Sequence, residues 1–377
     1  MRPIAFLVPG PLDARTGGSI YDRRMAEGLR RRGRRVDVVE LDASFPLPTS
    51  AALDHAGRAL AGLCAGSIAS VDSLALGAMP DLLVREASRL RLVALMHLPL
   101  SATFGLDRAT AARFQDSERR ALGAVSLVIV TGSAALPLLA PYALATDRIV
   151  VVEPGTDPAP LSKGPAEAGH YGPEDAQSYV ASGFSRTSSP TSRRTLELVC
   201  VATVNAIKGH ELLLDALAAV PHRDWHLTCA GSLTRDPATA ARVRAAIATL
   251  GLEDCVTLAG DLDRDALAAC YARANLFVLA TRQETYGMAV AEALAHGLPV
   301  VATTTGATPD LVGRDAGLLV PPGDARALSD ALVRALADEA LRARLAEGAR
   351  RVRDRLLTWD AAVDRMLAAL APLDAHG

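Results

Sequence analysis

Glu284 and Glu292 stand eight positions apart around a glycine-containing segment that directly follows a strongly apolar run. This order predicts a strand, a short loop and then a helix whose first turn contains Tyr286, Gly287 and Met288. The free N–H groups and the positive dipole end of such a turn suit a diphosphate, and a glycine there lets a phosphate approach closely. Carboxylates accept hydrogen bonds from sugar hydroxyls. If the helix reached back to Glu284, both glutamates could lie along one edge of the same ligand.

A lysine, a histidine and a glycine pair stand where other parallel strands are expected to end. The ammonium of Lys208 could neutralise phosphate charge as a leaving group develops. His97 would sit at a cleft rim, and Gly17 and Gly18 precede a helix expected from Ser19, where backbone could approach a ligand. Each has an ordinary alternative, since such a histidine is more often structural, Gly-Gly can be a plain tight turn, and single glutamates often cap helices or face solvent.

Apolar runs of strand length alternate with helix-period segments, a pattern typical of parallel sheets with helices on both faces. In the first half the expected strands are Pro3 to Val8, Val36 to Leu41, Val71 to Leu76, Arg91 to His97, Leu127 to Gly132 and Arg148 to Glu153. A helix with Tyr21, Met25 and Leu29 on one stripe separates the first two. In the second half the expected strands are Leu196 to Ala202, Trp225 to Ala230, Cys255 to Ala259, Leu276 to Ala280, Pro299 to Ala302 and Gly317 to Val320.

This pattern divides the chain into two doubly wound, Rossmann-like α/β domains. The first covers residues 1–157 and the second residues 196–356, and a length of 377 residues suits two ordinary cores. Residues 158–195 lack apolar periodicity, which predicts a low-complexity linker or insertion. Residues 357–377 contain a final helix with no strand to return to, which we expect to pack back toward the first domain. The carboxyl ends of the two sheets would face each other across a cleft, where α/β proteins bind ligands.

Composition and charge narrow the class of protein. No apolar stretch reaches the roughly 18 residues needed to cross a bilayer, and the N-terminus lacks the features of a signal peptide, so we expect a soluble, cytoplasmic protein. Five cysteines, an odd number with no C-x-x-C pair, indicate reduced residues, mostly in the core. A formal net charge of -2 gives no case for a nucleic-acid partner.

One local basic run stands out from this near-neutral charge. It consists of Arg30, Arg31, Arg32, Arg34 and Arg35. As a solvated helix end, its charges would complement the C-terminal dipole of the preceding helix. As a binding surface, it could make weak peripheral contact with the anionic inner face of a membrane or with an anionic acceptor.

The segment from Glu284 to Ala302 resembles the signature of glycosyltransferase family 4. Two glutamates separated by seven residues flank a glycine-containing helix start, and an alanine-rich run and Gly-x-Pro-Val-Val-Ala follow. The resemblance implies a GT-B fold and transfer of a hexose-type sugar from a nucleotide diphosphate donor, with retention at the anomeric carbon and without a metal or other cofactor. It implies that Glu284 contacts donor sugar hydroxyls, that Glu292 contacts the nucleotide ribose, and that the amides between them hold donor oxygens.

Further motifs of the same family occur in the same order. The matching segments are Lys208-Gly209, Ala230-Gly231-Ser232, residues 306–310 and residues 317–324. The resemblance implies that Lys208 neutralises the diphosphate and that Gly231 and Ser232 lie near the nucleotide. It also implies that the loop containing Gly17 and Gly18 lies against the donor phosphate or the acceptor. Together with His97, which matches the family's His-x-Pro, Lys208 and Glu284 are the predicted catalytic residues.

One departure from the family pattern concerns the arginine that usually precedes the Lys-Gly pair, which is missing here. Either Thr203 and Asn205 form hydrogen bonds where a positive charge was expected, or Lys208 alone neutralises more of the diphosphate charge. The missing arginine keeps open a catalytically silent nucleotide-sugar binder, and a sugar-nucleotide epimerase also stays open because it can share two such domains. An NAD-linked dehydrogenase is disfavoured, because residues 9–18 lack the G-x-G-x-x-G order expected after the first strand.

Overall fold

The first half of the chain folds around a six-stranded parallel sheet. The computed structural model describes residues 1–162 and 195–375. The strands of the first sheet are β1 (Ile4–Pro9), β2 (Val36–Leu41), β3 (Ile68–Asp72), β4 (Arg91–Met96), β5 (Leu127–Val130) and β6 (Ile149–Val151). Their order is β2-β1-β3-β4-β5-β6, and all neighbours are parallel. Apolar clusters cover both faces, which explains why the central strands read as unbroken apolar runs.

Helices and short 3-10 segments connect these strands. The helices are α1 (Gly17–Arg31), α2 (Ser50–Gly62), α3 (Ser73–Leu76), α4 (Pro80–Glu86) and α5 (Arg108–Ala124), and the 3-10 segments are Leu100–Ala102, Ser133–Tyr142 and Thr146–Arg148. The predicted stripe of α1 is confirmed, because Tyr21, Met25 and Leu29 are all buried. The hydroxyl of Thr16 accepts a hydrogen bond from the amide of Ser19 at 3.2 Å and caps the helix. The helix therefore begins at Gly17, and the expected start at Ser19 is wrong by two residues.

The strand predicted from Val71 to Leu76 is wrong over most of its length. The strand β3 ends at Asp72, and the following four residues form the short helix α3. The carboxylate of Asp72 accepts a hydrogen bond from the amide of Leu74 at 2.7 Å, which caps the helix and turns the chain. An apolar run of this length does not distinguish a buried strand from a buried helical turn.

The second half repeats the architecture. Its strands are β7 (Leu196–Val201), β8 (Trp225–Ala230), β9 (Val256–Gly260), β10 (Leu276–Leu279), β11 (Val300–Thr303) and β12 (Gly317–Val320), in the order β12-β11-β10-β7-β8-β9. Its helices are α6 (His210–Ala218), α7 (Pro237–Thr249), α8 (Arg264–Arg273), α9 (Met288–Ala295), α10 (Thr308–Val312), α11 (Ala325–Ala337) and α12 (Glu339–Arg353). All strand pairs are parallel, so the loops after the strands gather at one edge of the sheet.

The last helix, α13 (Trp359–Ala375), returns to the first domain and packs on α1. The contact is close, because a Cβ added to Gly28 would lie 2.2 Å from a methyl of Val363. Two segments therefore connect the domains, one after β6 and one between α12 and α13. They touch each other where the amide of Thr156 donates to the carbonyl of Leu357 at 2.7 Å. A Cβ on Gly155 would lie 2.2 Å from the amide nitrogen of Trp359, so only glycine fits at this crossing.

The basic run has a structural use at the same interface. Arg32 pairs with Asp360 and Asp364 of α13 at 3.2 and 3.0 Å. Arg34 is buried and pairs with Asp374 at 2.9 Å. These contacts engage two of the five guanidinium groups with the last helix. Contact of the run with a membrane or an anionic acceptor stays a prediction.

Several expectations about organisation are not tested. Most of the expected linker, residues 163–194, lies outside the described residues, and the domain bounds remain predictions. Within residues 1–162 and 195–375 no helix combines the length and the apolar character needed to cross a bilayer. All five cysteines are free thiols, and Cys200, Cys229 and Cys255 are buried.

Candidate active site

A cavity of about 930 Å³ separates the two sheets and is lined by both domains. Of the residues predicted to form a site, those that line it are Gly17, Gly18, His97, Lys208, Gly231, Glu284, Tyr286, Gly287, Met288 and Glu292. Ser232 is buried behind this surface, and its hydroxyl lies 3.2 Å from that of Thr234. The loops that follow the parallel strands therefore bring almost all of the predicted residues together. Their individual roles remain predictions.

Lys208 and Glu284 form an ion pair between the loops that follow β7 and β10. The side-chain oxygen of Asn205 accepts hydrogen bonds from the amides of Ile207 and Lys208, both at 3.1 Å, and fixes the first loop. Gly209 then adopts φ +69°, with the carbonyl oxygen of Ala280 only 2.1 Å from where its Cβ would be. The oxygen of Asn205 is used inside its own loop, but Thr203 and Asn205 both line the cavity, and the side-chain nitrogen of Asn205 is a donor, so hydrogen bonds from these residues in place of the missing arginine stay a prediction. Lys208 is the cation that this loop presents.

The helix α9 points its N-terminus into the cavity. It begins at Met288, and Gly287 at φ +95° is its N-cap. Tyr286 therefore lies ahead of the helix and is buried, so its predicted place in the first turn is wrong. Glu284 is likewise in the loop, and the helix does not reach back to it. The first amides of α9 nevertheless lack partners within the helix, and they supply hydrogen-bond donors and the positive dipole end beside Lys208.

Glu292 lies one turn into α9 and faces the cavity. The hydroxyl of Tyr271 donates a hydrogen bond to its carboxylate at 3.0 Å, and the Tyr271 ring stacks on His296 with centroids 4.9 Å apart. Burial raises the pKa of Glu292 to about 7, although the bond from Tyr271 acts in the opposite direction. The carboxyl is thus poised to ionise near neutrality. Tyr271 was not found from the sequence, because a tyrosine in an amphipathic helix carries no distinguishing pattern.

His97 follows β4 and is held by two buried carboxylates of the first domain. Its Nε2 lies 3.2 Å from an oxygen of Asp22 and 3.3 Å from an oxygen of Asp72. Burial opposes the charged imidazole, but the two aspartates outweigh it and raise the pKa of His97 to about 10. A Cβ on Gly18 would lie 3.5 Å from the ring, so the start of α1 packs over it. His97 is therefore a cation at neutral pH, with Nε2 anchored by the two carboxylates and Nδ1 without a hydrogen-bond partner among residues 1–162 and 195–375.

The three groups Asp22, Asp72 and His97 also have the composition of a metal site, with ligand atoms within 4.8 Å of one another. A proton on the imidazole explains their proximity without an ion, because it supplies the positive charge between the two carboxylates. Burial raises the pKa of Asp22 to about 6. The two aspartates were missed from the sequence. Asp72 is the last residue of the buried strand β3, at the carboxyl edge of the sheet where α/β proteins bind ligands, but the predicted strand from Val71 to Leu76 hid this position.

A direct contact between the domains lies beside Glu284. The side-chain oxygen of Gln283 accepts a hydrogen bond from the amide of Phe104 at 2.8 Å, and its nitrogen donates to the carbonyl of Ala102. The guanidinium of Arg282 lies 5.6 Å from the centroid of the Phe104 ring. The loop that contains Phe104 is held in turn by the buried carboxylate of Glu118, which accepts hydrogen bonds from the amides of Leu100 and Ser101. These contacts join the two domains beside Glu284.

The two facing doubly wound domains and the cavity between them define the GT-B class. Sucrose-phosphate synthase from Thermosynechococcus elongatus superposes with a TM-score of 0.79 at 23% identity, covering 100% of both chains. Anabaena HepE in complex with UDP-glucose superposes with a TM-score of 0.73 at 17% identity, covering 99% of this chain and 100% of that one. Likeness at these identities shows the fold, and the GT-B prediction is confirmed.

Residues 195–338, within the second domain, match the model of the family described as glycosyl transferases group 1. The chain is also similar to a D-inositol 3-phosphate glycosyltransferase from Xylanimonas cellulosilytica, with 32% identity over 247 residues. That match covers 65% of this chain and 56% of the relative, so the chain spans little more than half the length of that protein. The resemblance drawn from the Glu284 to Ala302 segment is confirmed at the level of this glycosyltransferase domain.

Proposed function

We propose that the protein is a glycosyltransferase that moves a hexose-type sugar from a nucleoside diphosphate sugar to an acceptor. The observation that carries the proposal is the position of the Lys208–Glu284 pair, which lies beside the open N-terminus of α9 and lines the same cavity as His97. The similarity to a D-inositol 3-phosphate glycosyltransferase supports the class of reaction, and the complex of HepE with UDP-glucose supports a nucleotide-sugar donor.

The donor would lie with its diphosphate at the start of α9. There the ammonium of Lys208 and the unpaired amides of the first turn would stabilise the phosphate charge that grows as the leaving group departs. Glu284 would accept hydrogen bonds from the sugar hydroxyls, and Glu292 from the ribose. In the free protein Lys208 and Glu284 neutralise each other, so neither charge is buried alone before the donor binds. No metal is needed in this proposal, because these groups already oppose the diphosphate charge.

We propose retention at the anomeric carbon. The bond from the anomeric carbon to the diphosphate oxygen would break, a bond to the acceptor oxygen would form on the same face, and the acceptor proton would pass to the departing diphosphate oxygen. His97 supports this route, because a histidine with a pKa of about 10 is already protonated and cannot act as the base. Its free Nδ1–H would donate a hydrogen bond to the donor sugar or the acceptor.

The first experiment identifies the donor. A thermal-shift panel of nucleotide sugars should yield a responder, since a ligand of the folded state raises its stability by RT ln(1 + [L]/Kd). The responder is then incubated alone and with candidate acceptors. Transfer or slow donor hydrolysis supports the proposal. An isomeric nucleotide sugar formed without acceptor would indicate an epimerase instead, and binding with no turnover would indicate a silent binder.

Variants then test the residues. Lys208→Ala and Glu284→Ala should each lower transfer by roughly 100-fold or more while the chain stays folded, because each removes a group opposed to charge in the transition state. Glu253→Ala is the matched control, since Glu253 is exposed and does not line the cavity. Wild-type activity in either folded cavity variant would contradict the roles assigned here.

A further inference from the structure

Two cysteines and a histidine meet in the interior of the second domain, behind the lysine loop. Cys200 of β7 and Cys229 of β8 are paired in register on neighbouring parallel strands. His210 is the first residue of α6, and its Nε2 lies 3.9 Å from the sulfur of Cys200. The two sulfurs and one imidazole nitrogen all lie within 4.8 Å of one another. Cys200, Cys229 and His210 are only 1%, 3% and 3% exposed.

The imidazole of His210 makes no hydrogen bond to nitrogen or oxygen of the described residues. Its Nδ1 is buried without a partner among them, and its Nε2 lies 3.9 Å from the Cys200 sulfur. Buried polar side-chain atoms are nearly always hydrogen-bonded, and leaving one unpaired costs about 1 to 3 kcal/mol. Apolar packing would be served better by leucine or valine at this position. A metal ion on Nε2 would give that nitrogen a stronger partner than a thiol, although it would leave Nδ1 unpaired.

We infer that Cys200, Cys229 and His210 bind a thiophilic metal ion. Metal–sulfur bonds of about 2.3 Å and metal–nitrogen bonds of about 2.0 Å place trigonal or tetrahedral ligands roughly 3.5 to 4.0 Å apart. The observed 3.9 Å between Nε2 and the Cys200 sulfur falls in this range, and the bound of 4.8 Å on the other pairs leaves a contraction of at most about 1.3 Å. Two thiolates and an imidazole are ligands typical of Zn²⁺ and of Cu(I).

This site is separate from the cavity proposed to bind the donor. Val201, Ala202 and Ala230 line that cavity, whereas the two cysteines and His210 do not. The connection is through the chain, because His210 lies two residues after Lys208 and one after Gly209, whose backbone is fixed against β10. The ion would join the ends of β7 and β8 to the start of α6. It would thus brace the loop that carries Lys208 without entering the reaction.

Cadmium is a suitable probe, because Cd²⁺ has the charge of Zn²⁺ and its thiolate complexes absorb in the ultraviolet. The full-length protein, reduced and stripped with a chelator, is titrated with Cd²⁺. We expect a thiolate-to-metal absorption band that saturates near one ion per chain and is displaced by Zn²⁺. Cys229→Ser should abolish the band, and His210→Gln should weaken binding by roughly 10-fold or more. Cys255→Ser is the matched control, because Cys255 is also buried but lies outside the cluster. The absorption band of this variant should equal that of the wild type.

Absence of the band, or a band of equal intensity in the folded Cys229→Ser variant, would overturn the inference. Far-ultraviolet circular dichroism establishes whether each variant is folded. If Cys229→Ser fails to fold, cadmium NMR of the wild-type protein decides instead. A resonance in the range of mixed sulfur and nitrogen ligands supports the site, and one in the range of oxygen and nitrogen ligands alone refutes it.

Discussion

Glu292 should make the protein less stable as the pH rises, and Glu292→Gln should remove that dependence. Its carboxyl has a pKa of about 7 in the folded chain against an ordinary value of 4.5. The folded state therefore holds this proton more tightly than the unfolded state. The stabilising contribution is complete below pH 4.5 and is lost as the pH rises through 7. At about 1.4 kcal/mol per pKa unit, the loss is about 3 kcal/mol at most, because the carboxyl faces the cavity and keeps some contact with water.

Glutamine at this position keeps the shape and can still accept the hydrogen bond from Tyr271, but it cannot ionise. The assay is urea denaturation of both proteins at pH 5 and pH 8, without ligand. The free energy of unfolding of Glu292→Gln minus that of the wild type should be small at pH 5 and should grow by about 1 to 2 kcal/mol in favour of the variant at pH 8. Taking the difference cancels the titration of the other groups.

The same ionisation should appear in donor binding. Ribose hydroxyls donate hydrogen bonds, so a bound nucleotide would favour the charged carboxylate, and affinity should fall as the pH drops below 7. Calorimetry of nucleotide binding at pH 7 in two buffers of different ionisation enthalpy measures the proton released. The variant should release less. If the stability difference is the same at both pH values and proton release is unchanged in the variant, the reasoning about Glu292 fails.

Three further predictions concern the framework. Gly209→Ala should lower the thermal midpoint and cost about 2 kcal/mol or more in the free energy of unfolding, since its Cβ would strike a backbone carbonyl. Gly33 also has a positive φ, +80°, but open space around it, so Gly33→Ala should cost less, and an equal loss would refute the steric argument. Gln283→Ala should increase the radius of gyration measured by X-ray scattering, because it removes both hydrogen bonds to the first domain, and an unchanged radius would contradict this. Asp374→Asn should cost about 2 to 3 kcal/mol in urea denaturation by leaving the buried guanidinium of Arg34 without its charge partner, and a loss below about 0.5 kcal/mol would contradict it.

The architecture was largely predictable, because parallel strands covered on both faces must be apolar throughout. The strands β2, β8 and β12 have the predicted bounds to the residue. The error at β3 has a local cause, since the capping carboxylate of Asp72 ends the strand inside an apolar run. The start of α9 was misplaced for a similar reason: a glycine at φ +95° fixes the N-cap, and no periodicity reveals a backbone angle.

The site was predictable only where its residues form a motif along the chain. Lys208 and Glu284 meet because the loops after two strands of one sheet lie side by side, which the strand order implies. Asp22 and Tyr271 instead contact the cavity residues His97 and Glu292 from helices, and Gln283 bonds to the first domain from a loop, with no repeated spacing. Their contribution depends on distances of about 3 Å across elements far apart in sequence, and these are set by packing that a single sequence does not specify.

The paired crossings at Thr156 and Leu357 constrain how the cleft can open. A single connecting segment would let the two domains rotate about it in any direction. Two connecting segments bonded to each other should allow bending at the crossing but resist twisting. Opening of the cleft should then be a hinge rotation about one axis. Closure should return Lys208 and His97 to the same separation each time. Proteolytic cleavage of either connecting segment alone would leave the domains joined by the other but would remove the restriction to one axis.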